Sequence, residues 1–487
     1  MVRSASRHTL YFDLLDSFRQ PGCPICRLGS LTATRYLDIL AYENVNDPGE
    51  REKLRAARGF CNYHAYRFLE ETRDLLAVGI IYRDVVHTVV LALSEGGPSS
   101  LSQGVLSFLR QDSDDPCEDH GLARLVGPTG PCPACLALAG GAADRLHALL
   151  DHLAEEDFRV AYERSDGLCY PHFREALGEV RDGATLRVLV ESTVGRLASP
   201  LDRAQSGGKP ASTWLVASAF GERGAVPREN QASKVFGRAQ KRGARSDGTW
   251  QGDSALDLPD PDSCPVCRKT ETAAARAVAE FSREVSGEPE VGGERLEGVC
   301  NRHAWQLVSA SGEDLLSALA VLAERRRAQA SALASKVLAA ESEGNGLELP
   351  VDIPGRPTRA RRGGRELARG LLPRSPCPIC ERQAELEQTE LLRFLSGLAE
   401  GDGREERDEG VDTICIPHLA HSCHLRLEPR QREMLVRREV QGWASLVAEL
   451  REYLRKVDFR FRDEARGPEQ TSPYRAVEQM VGRRGIR

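Results

Sequence analysis

Twelve of the fourteen cysteines in this 487-residue chain fall into one repeated pattern, which constrains the fold more than any other feature. Four times, a Cys-Pro-x-Cys pair is followed after 33 to 35 positions by a Cys-x-x-His pair. The four sets are Cys23, Cys26, Cys61 and His64; Cys132, Cys135, Cys169 and His172; Cys264, Cys267, Cys300 and His303; and Cys377, Cys380, Cys415 and His418. Residue types that recur in register indicate an internal repeat with fixed chemistry.

The repeat has a second level, because alternate sets resemble each other most. The first and third sets share Cys-Asn-x-His-Ala followed by an aromatic residue, Tyr66 or Trp305. The second and fourth sets instead have proline directly before the histidine. The pattern therefore predicts a tandem duplication of a unit of roughly 200 residues, each unit holding two modules.

Composition along the chain suggests where the units end. We expect residues 1–200 to form the first half, with modules 1 and 2, and residues 261–465 to form the second half, with modules 3 and 4. Residues 201–260 are rich in Gly, Ser, Pro and basic residues and predict a flexible linker. A loop is expected at about 341–375 and a loose tail at 466–487.

Hydrophobic periodicity predicts an all-α fold. After His418, apolar residues recur at alternating spacings of four and three, which places them on one face of a long helix. This seam consists of Val436, Val440, Trp443, Val447, Leu450, Leu454 and Val457. Similar seams follow His64 and His303, and each Cys-Pro-x-Cys leads into a helical stretch, so helix starts are expected to carry the cysteines.

Three cysteines and one histidine form a closed tetrahedral set suited to zinc. We expect each Cys-Pro-x-Cys to share an ion with the Cys-x-x-His that follows it, which gives about four Zn²⁺ ions per chain. Four protein ligands leave no position for water or substrate, so the pattern is typical of structural rather than hydrolytic zinc. Two helix N-termini at each site would offset the negative charge of three thiolates.

Other interpretations of the cysteines stay open. An iron–sulfur cluster with one histidine ligand would use the same residue types. The Cys-Pro-x-Cys pairs could instead exchange thiol and disulfide, although that chemistry usually follows a strand. Cys117 and Cys423 stand outside the pattern and are either unliganded thiols or additional ligands.

Composition limits the biological role without defining it. The net charge is −6, which argues against a protein that coats nucleic acid throughout. Basic segments at 203–246 and 356–374 nevertheless leave nucleic-acid binding open as an alternative to solvated linkers. No enzyme motif is found, so we expect a non-enzymatic scaffold for an unidentified protein partner.

The most apolar run, AVGIIYRDVVHTVVLAL, contains charges and is expected to be too short to span a bilayer. With no signal-peptide core at the N-terminus, a soluble, cytoplasmic protein is predicted.

The paired modules resemble a family of uncharacterised bacterial proteins that is classed as a domain of unknown function. The residues that carry the resemblance in the first half are Cys23, Cys26, Gly59, Cys61, His64, Cys132, Cys135, Gly167, Cys169 and His172. They recur in the second half, except that Thr413 replaces the glycine of the fourth module. The resemblance implies metal binding and gives no substrate.

Overall fold

The computed structural model describes residues 9–94, 122, 125–197, 211–224, 264–342, 359–373, 375–399, 413–425, 427–461 and 463–484. Within these ranges the chain is helical and contains no strand, which confirms the predicted all-α class. Cys117, His120 and most of the basic linker lie outside the described residues.

The first half contains nine described helices up to residue 197, and a tenth follows them. They are α1 (Thr9–Phe18), α2 (Pro24–Tyr42), α3 (Pro48–Ala56), α4 (Asn62–Thr72), α5 (Leu75–Ser94), α6 (Pro133–His152), α7 (Glu156–Arg164), α8 (Tyr170–Glu179), α9 (Gly183–Leu197) and α10 (Ala211–Phe220).

The described part of the second half repeats this order with local differences. Its helices are α11 (Pro265–Gly287), α12 (Pro289–Leu296), α13 (Asn301–Ser311), α14 (Leu316–Ser342), α15 (Arg359–Gly370), α16 (Pro378–Ala399), α17 (Ile416–Ser422), α18 (Pro429–Val457) and α19 (Ser472–Val481). Short 3₁₀ turns occupy Gly312–Leu315, Phe459–Phe461 and Pro468–Thr471.

Two helices that each begin at a Cys-Pro-x-Cys pack closely and antiparallel at the centre of the first half. Gly29 of α2 faces Ala142 of α6, and a Cβ on Gly141 would overlap the Thr32 side chain. Because glycine has no side chain, the two helix backbones can approach closely at these positions. Helices α11 and α16 pair in the same way in the second half. The antiparallel arrangement places the two Cys-Pro-x-Cys turns of each half at opposite ends of the helix pair.

The two halves interlock through their long helices. Helix α5 of the first half packs along α18 of the second, and α9 packs along α14. Of the seam predicted after His418, Val436, Trp443, Val447 and Leu450 are buried, whereas Val457 at its end is exposed. One hydrophobic core therefore contains side chains from both halves, among them Val78, Tyr82 and Trp443.

Two segments that were expected to be loose are helices with buried faces. Within the expected linker, α10 inserts Trp214, Leu215 and Phe220 into the core of the second half. Within the expected tail, α19 buries Val477 and Met480 in the core shared by both halves. Both predictions failed for the same reason: the basic flanks set the composition of each segment and masked a short apolar face.

The loop expected at about 341–375 is also partly wrong. Residues 359–370 form α15, which packs against α8, and a Cβ on Gly364 would overlap the backbone carbonyl of Leu177. Leu371, directly after the helix, is buried in the core of the first half. Seven arginines between 356 and 374 suggested a solvated segment, yet apolar residues at helical spacing provide a contact face.

In the part of the chain that the structure describes, one helix, α5, is long and apolar enough to cross a membrane by length and composition, contrary to the expectation that this run is too short. Its residues Val78, Val85, Val86 and Val89 are buried in the core shared by the two halves. Buried core helices have the same length and composition, and these residues of α5 pack into a core.

Candidate metal centres

The structure brings the sixteen predicted ligands together in four groups, each of three cysteines and one histidine. We name them site 1 (Cys23, Cys26, Cys169, His172), site 2 (Cys61, His64, Cys132, Cys135), site 3 (Cys264, Cys267, Cys415, His418) and site 4 (Cys300, His303, Cys377, Cys380). The predicted pairing was therefore wrong. Each Cys-Pro-x-Cys meets the Cys-x-x-His of the other module in its half, so every site joins two modules.

Helix length explains why each Cys-Pro-x-Cys meets the Cys-x-x-His of the other module in its half. Helix α2 has 19 residues and carries the chain about 28 Å away from Cys23. The following helix, α3, has only nine residues and is too short to bring the chain back. Cys61 and His64 are thus delivered to the far end of the α2–α6 pair, where α6 begins at Cys132. The chain leaving the C-terminus of α6 lies beside Cys23 and supplies Cys169 and His172 there.

Ligand distances fit a single tetrahedral ion in each site. The histidine Nδ1 lies 3.2–3.6 Å from the three sulfurs in site 1, 3.3–3.7 Å in site 2, 3.1–3.5 Å in site 3 and 3.3–3.4 Å in site 4. One sulfur pair in each site is 3.6 or 3.7 Å apart. A tetrahedral ion with ordinary Zn–S and Zn–N bonds separates two sulfurs by about 3.8 Å and sulfur from nitrogen by about 3.5 Å.

Helix N-termini surround the sites as the sequence predicted. The first cysteine of a Cys-x-x-His is the N-cap of its helix, and Cys61 Sγ accepts a hydrogen bond from the backbone N–H of His64 (3.4 Å). In the Cys-Pro-x-Cys turns the proline occupies the start of the helix, where its missing N–H costs no hydrogen bond. Cys264 Sγ likewise accepts from the backbone N–H of Cys267 (3.5 Å). The positive ends of these helices stabilise thiolates.

The neighbouring groups also promote ionisation of one sulfur in each site. Burial raises the pKa of the Cys23 thiol, but hydrogen bonds with Cys169 and Cys26 and the charge of His172 outweigh burial and hold the pKa well below its ordinary value. The pKa is lowered in the same way for one cysteine of each remaining site: Cys132, Cys264 and Cys300. Burial and the neighbouring sulfurs raise the pKa of another cysteine in each site (Cys26, Cys61, Cys267 and Cys377), so binding of a metal ion would release the remaining thiol protons.

The four sites differ in exposure. All ligands of sites 1 and 3 are buried. In site 2, Cys132 and Cys135 are half-buried, and in site 4 Cys300 and Cys380 are half-buried. Reagents from solvent therefore have easier access to sites 2 and 4.

The second half surrounds its histidines with polar groups that the first half lacks. Gln383 Oε1 lies 3.3 Å from His303 Nε2 and accepts a hydrogen bond from Arg302 Nη2 (3.0 Å). Gln383 Nε2 donates to Glu387 Oε1 (3.1 Å), and the other Glu387 oxygen lies 3.8 Å from His418 Nε2. Nε2 of His64, of His172 and of His418 forms no hydrogen bond, so among the four site histidines a polar group within hydrogen-bond distance of Nε2 is found at His303. A partner of this kind orients a histidine ligand, while burial and the charge of Arg302 lower the pKa of His303.

Asn62, in the Cys-Asn-x-His motif of module 1, has a role that sequence reasoning missed. Asn62 Nδ2 donates to the backbone carbonyls of Val481, Gly482 and Arg483, at the end of α19 (2.9–3.2 Å). The only signal in the sequence was that asparagine occupies the same motif position in modules 1 and 3.

Cys423 belongs to none of the four groups, and its Sγ donates to the Leu419 carbonyl (3.2 Å).

Comparisons with known proteins identify relatives of the first half. Residues 8–187 match the DUF6062 family, a family of unknown function. A 75-residue stretch is 35% identical to an uncharacterised 23.9 kDa protein in the xynA 3′ region of Caldicellulosiruptor sp. (strain Rt8B.4). That stretch covers 15% of this chain, and it spans 36% of the length of the relative. No solved structure matches the chain significantly. The resemblance inferred from the cysteine modules is thereby confirmed for residues 8–187, which contain sites 1 and 2 and match the model of this family of unknown function.

Proposed function

We propose that this protein is a non-enzymatic helical scaffold whose fold depends on four structural Cys3His zinc sites. The observation that carries the proposal is the closure of each site by four protein ligands held at helix N-termini. A closed tetrahedral set leaves no coordination position for a substrate or a reacting water molecule. Because every site joins the two modules of its half, zinc would fix the positions of the helices that interlock the halves.

Zinc is proposed over other metals from the donor set and the size of the sites. Three thiolates and one imidazole suit Zn²⁺, and all ligand atoms of a site lie within 4.8 Å of one another. An iron–sulfur cluster binds its cysteines through different irons and needs more space between the sulfurs. Elemental analysis of protein purified without added metal tests the proposal. We expect about four zinc ions per chain and no visible colour; a brown protein with iron and acid-labile sulfide would contradict it.

A thiol redox function is the second candidate, and the half-buried cysteines of sites 2 and 4 favour it. Oxidation of such a pair would release its ion and loosen the helix starts it holds. Mild peroxide followed by quantification of released zinc and free thiols separates the two functions. Zinc retained with unreactive thiols supports a purely structural role, whereas reversible release from sites 2 and 4 supports a redox response.

We propose that the scaffold binds a protein partner through surfaces other than the long helix seams. The apolar seams of α5, α14 and α18 pack against the opposite half. Within the described residues, the large apolar side chains that are more than half exposed are Phe12 (54%), Tyr42 (65%), Leu136 (56%) and Phe459 (77%). Replacing each by serine and measuring co-purification from cell lysate tests whether a partner uses them.

Nucleic-acid binding would depend on the basic residues of the linker, which lie mostly outside the described residues. Deleting residues 228–246 keeps α10 in place and removes six of these basic residues. Binding that weakens steeply with salt and disappears in the deletion variant would support this alternative.

We propose that the protein functions in a reducing compartment such as the cytoplasm. Thirteen cysteines within the described residues are free thiols, and twelve of them belong to the four sites. Oxidising compartments would convert such neighbouring thiols to disulfides before metal could bind.

A further inference from the structure

A cleft between the two halves contains two buried arginines that the candidate metal centres do not use. Its walls come from the loop before α8, from α9 and α10, and from α14 of the second half, and it is partly open to solvent. Arg196 of α9 and Arg326 of α14 line this cleft from opposite halves. Only 7% of Arg196 and 6% of Arg326 is exposed.

Both guanidinium groups have donors without partners. Nη1 and Nη2 of Arg196 are buried and form no hydrogen bond, and the same holds for Nε of Arg326. An arginine keeps its charge at any physiological pH and offers five N–H donors. Burying such donors unsatisfied is unfavourable, and a bound acceptor that fits between them would remove that cost.

Aromatic rings hold the two guanidinium groups in place. The Cζ atom of Arg196 lies 4.6 Å from the centre of the Tyr162 ring, and that of Arg326 lies 3.8 Å from the Tyr170 ring. Gly167, at φ 63°, leaves room for Arg196, because a Cβ there would overlap the guanidinium group. Stacking occupies the faces of a guanidinium and leaves its N–H edge free for a bidentate contact with an oxyanion.

The charge in the cleft favours an anion. Asp166 is the acidic side chain among the lining residues, and its Oδ2 accepts a hydrogen bond from the backbone N–H of Gly22 (2.6 Å). Two arginines against one carboxylate leave a net positive charge. Trp214, Leu168 and Leu215 provide apolar walls that exclude water and strengthen a charged contact.

We propose that this cleft binds a small oxyanion, a phosphate or a carboxylate, between Arg196 and Arg326. The ligand would link α9 of the first half to α14 of the second, so its binding would also stabilise the contact between the halves. An adjoining cleft shares Asp166 and Trp214 and extends to Cys23 and Cys169 of site 1, so the anion would bind close to that site.

Isothermal titration calorimetry of the full chain with sodium phosphate and, separately, sodium acetate tests the proposal at fixed ionic strength, with chloride as the reference anion. We expect saturable binding of one of the two anions at about one per chain, and a rise in thermal midpoint with that anion. The stronger anion identifies the ligand class. Absence of saturable binding for both anions would overturn the proposal.

Variants locate the binding. Arg196→Gln and Arg326→Gln are each expected to weaken binding at least tenfold, about the loss of one charge-assisted contact. Arg327→Gln is the matched control, because Arg327 is exposed and pairs with Glu324. Equal weakening in Arg327→Gln would show non-specific charge attraction and overturn the proposal.

Arg326→Lys covers the case in which loss of a buried charge disrupts folding. It keeps the charge and removes the planar fork, so we expect weakened binding with unchanged circular dichroism and metal content. Unchanged affinity in this variant, together with unchanged affinity in Arg196→Lys, would contradict a bidentate site.

Discussion

Asn62 and Asn301 occupy equivalent positions in the two halves, and each binds the end of a helix that the opposite half contributes. Asn62 Nδ2 donates to three carbonyls at the end of α19, whereas Asn301 Nδ2 donates to the carbonyls of Phe220, Gly221 and Glu222 at the end of α10 (2.7–3.2 Å). The aromatic residue four positions after each asparagine binds the same helix end. Tyr66 Oη donates to the Gly482 carbonyl, and Trp305 Nε1 donates to that of Gly221.

Loss of either asparagine is expected to destabilise the contact between the halves. Asn301→Ala removes the donor for three helix-end carbonyls and should lower the free energy of unfolding by about 2–3 kcal/mol. Urea unfolding followed by circular dichroism measures the change. Asn46→Ala replaces an exposed asparagine and should change stability little. If both variants lose the same amount, the capping role assigned to Asn301 is wrong.

The exchanged pairing of ligands predicts which double mutants lose one ion and which lose two. Cys26→Ser together with Cys169→Ser removes two ligands of site 1 and should lower the zinc content by about one per chain. Cys26→Ser together with Cys61→Ser damages sites 1 and 2 and should lower it by about two. Elemental analysis at matched protein concentration distinguishes these cases. The opposite result would restore the pairing of each Cys-Pro-x-Cys with the Cys-x-x-His that follows it.

Thiol reactivity should follow exposure. Cys132, Cys135, Cys300 and Cys380 are half-buried, so a thiol reagent should label sites 2 and 4 before sites 1 and 3. Alkylation for increasing times followed by peptide mass spectrometry gives the order. Early labelling of Cys23 or Cys267 in folded protein would be inconsistent with the buried positions of these residues.

The polar groups around His303 should make site 4 retain metal better than it would without them. Gln383→Leu removes the amide oxygen beside His303 Nε2 and leaves Arg302 Nη2 3.0 Å from that nitrogen, and we expect metal affinity at this site to fall about 10- to 100-fold. Competition with a chromophoric chelator measures the loss. Gln388→Leu alters an exposed glutamine on the same helix and serves as the control. Equal effects of the two substitutions would point to a general loss of helix stability.

Metal removal should unfold more than the immediate surroundings of the sites. Each site joins two modules, and the modules of both halves share a core, so chelation should cause a cooperative loss of helical circular dichroism. Re-addition of zinc under reducing conditions should restore the signal. Stripped protein that keeps its full helical signal and its thermal midpoint would show that the ions are not structural.

The ligand residues and the all-α class could be predicted because both depend on local patterns. Recurrence of four residue types identified the sixteen ligands, and helical spacing identified the seam that contains Trp443. The partnership between Cys23 and His172 could not be predicted in the same way, because it depends on the antiparallel packing of α2 and α6. Helix α2 is long enough to have suggested it, since about 28 Å separates its two ends.

The segments assigned as linker and tail show a different limit. Composition averages over a window, so flanking basic residues concealed the apolar face of α10 around Trp214 and that of α19 around Val477. The two arginines of the inter-half cleft had no sequence signal at all. Arg326 and Arg196 come together only when the two halves pack against each other.

The exchanged ligands also give the two sites of each half a nested order along the chain. Site 2 uses residues 61 to 135, and it lies between the first and second pairs of site 1, at 23 to 26 and 169 to 172. A ribosome therefore releases every ligand of the inner site before the outer one can close. Cys23 and Cys26 must wait as unliganded thiols until Cys169 and His172 emerge, so during synthesis the earliest cysteines of each half stay open to capture or damage the longest.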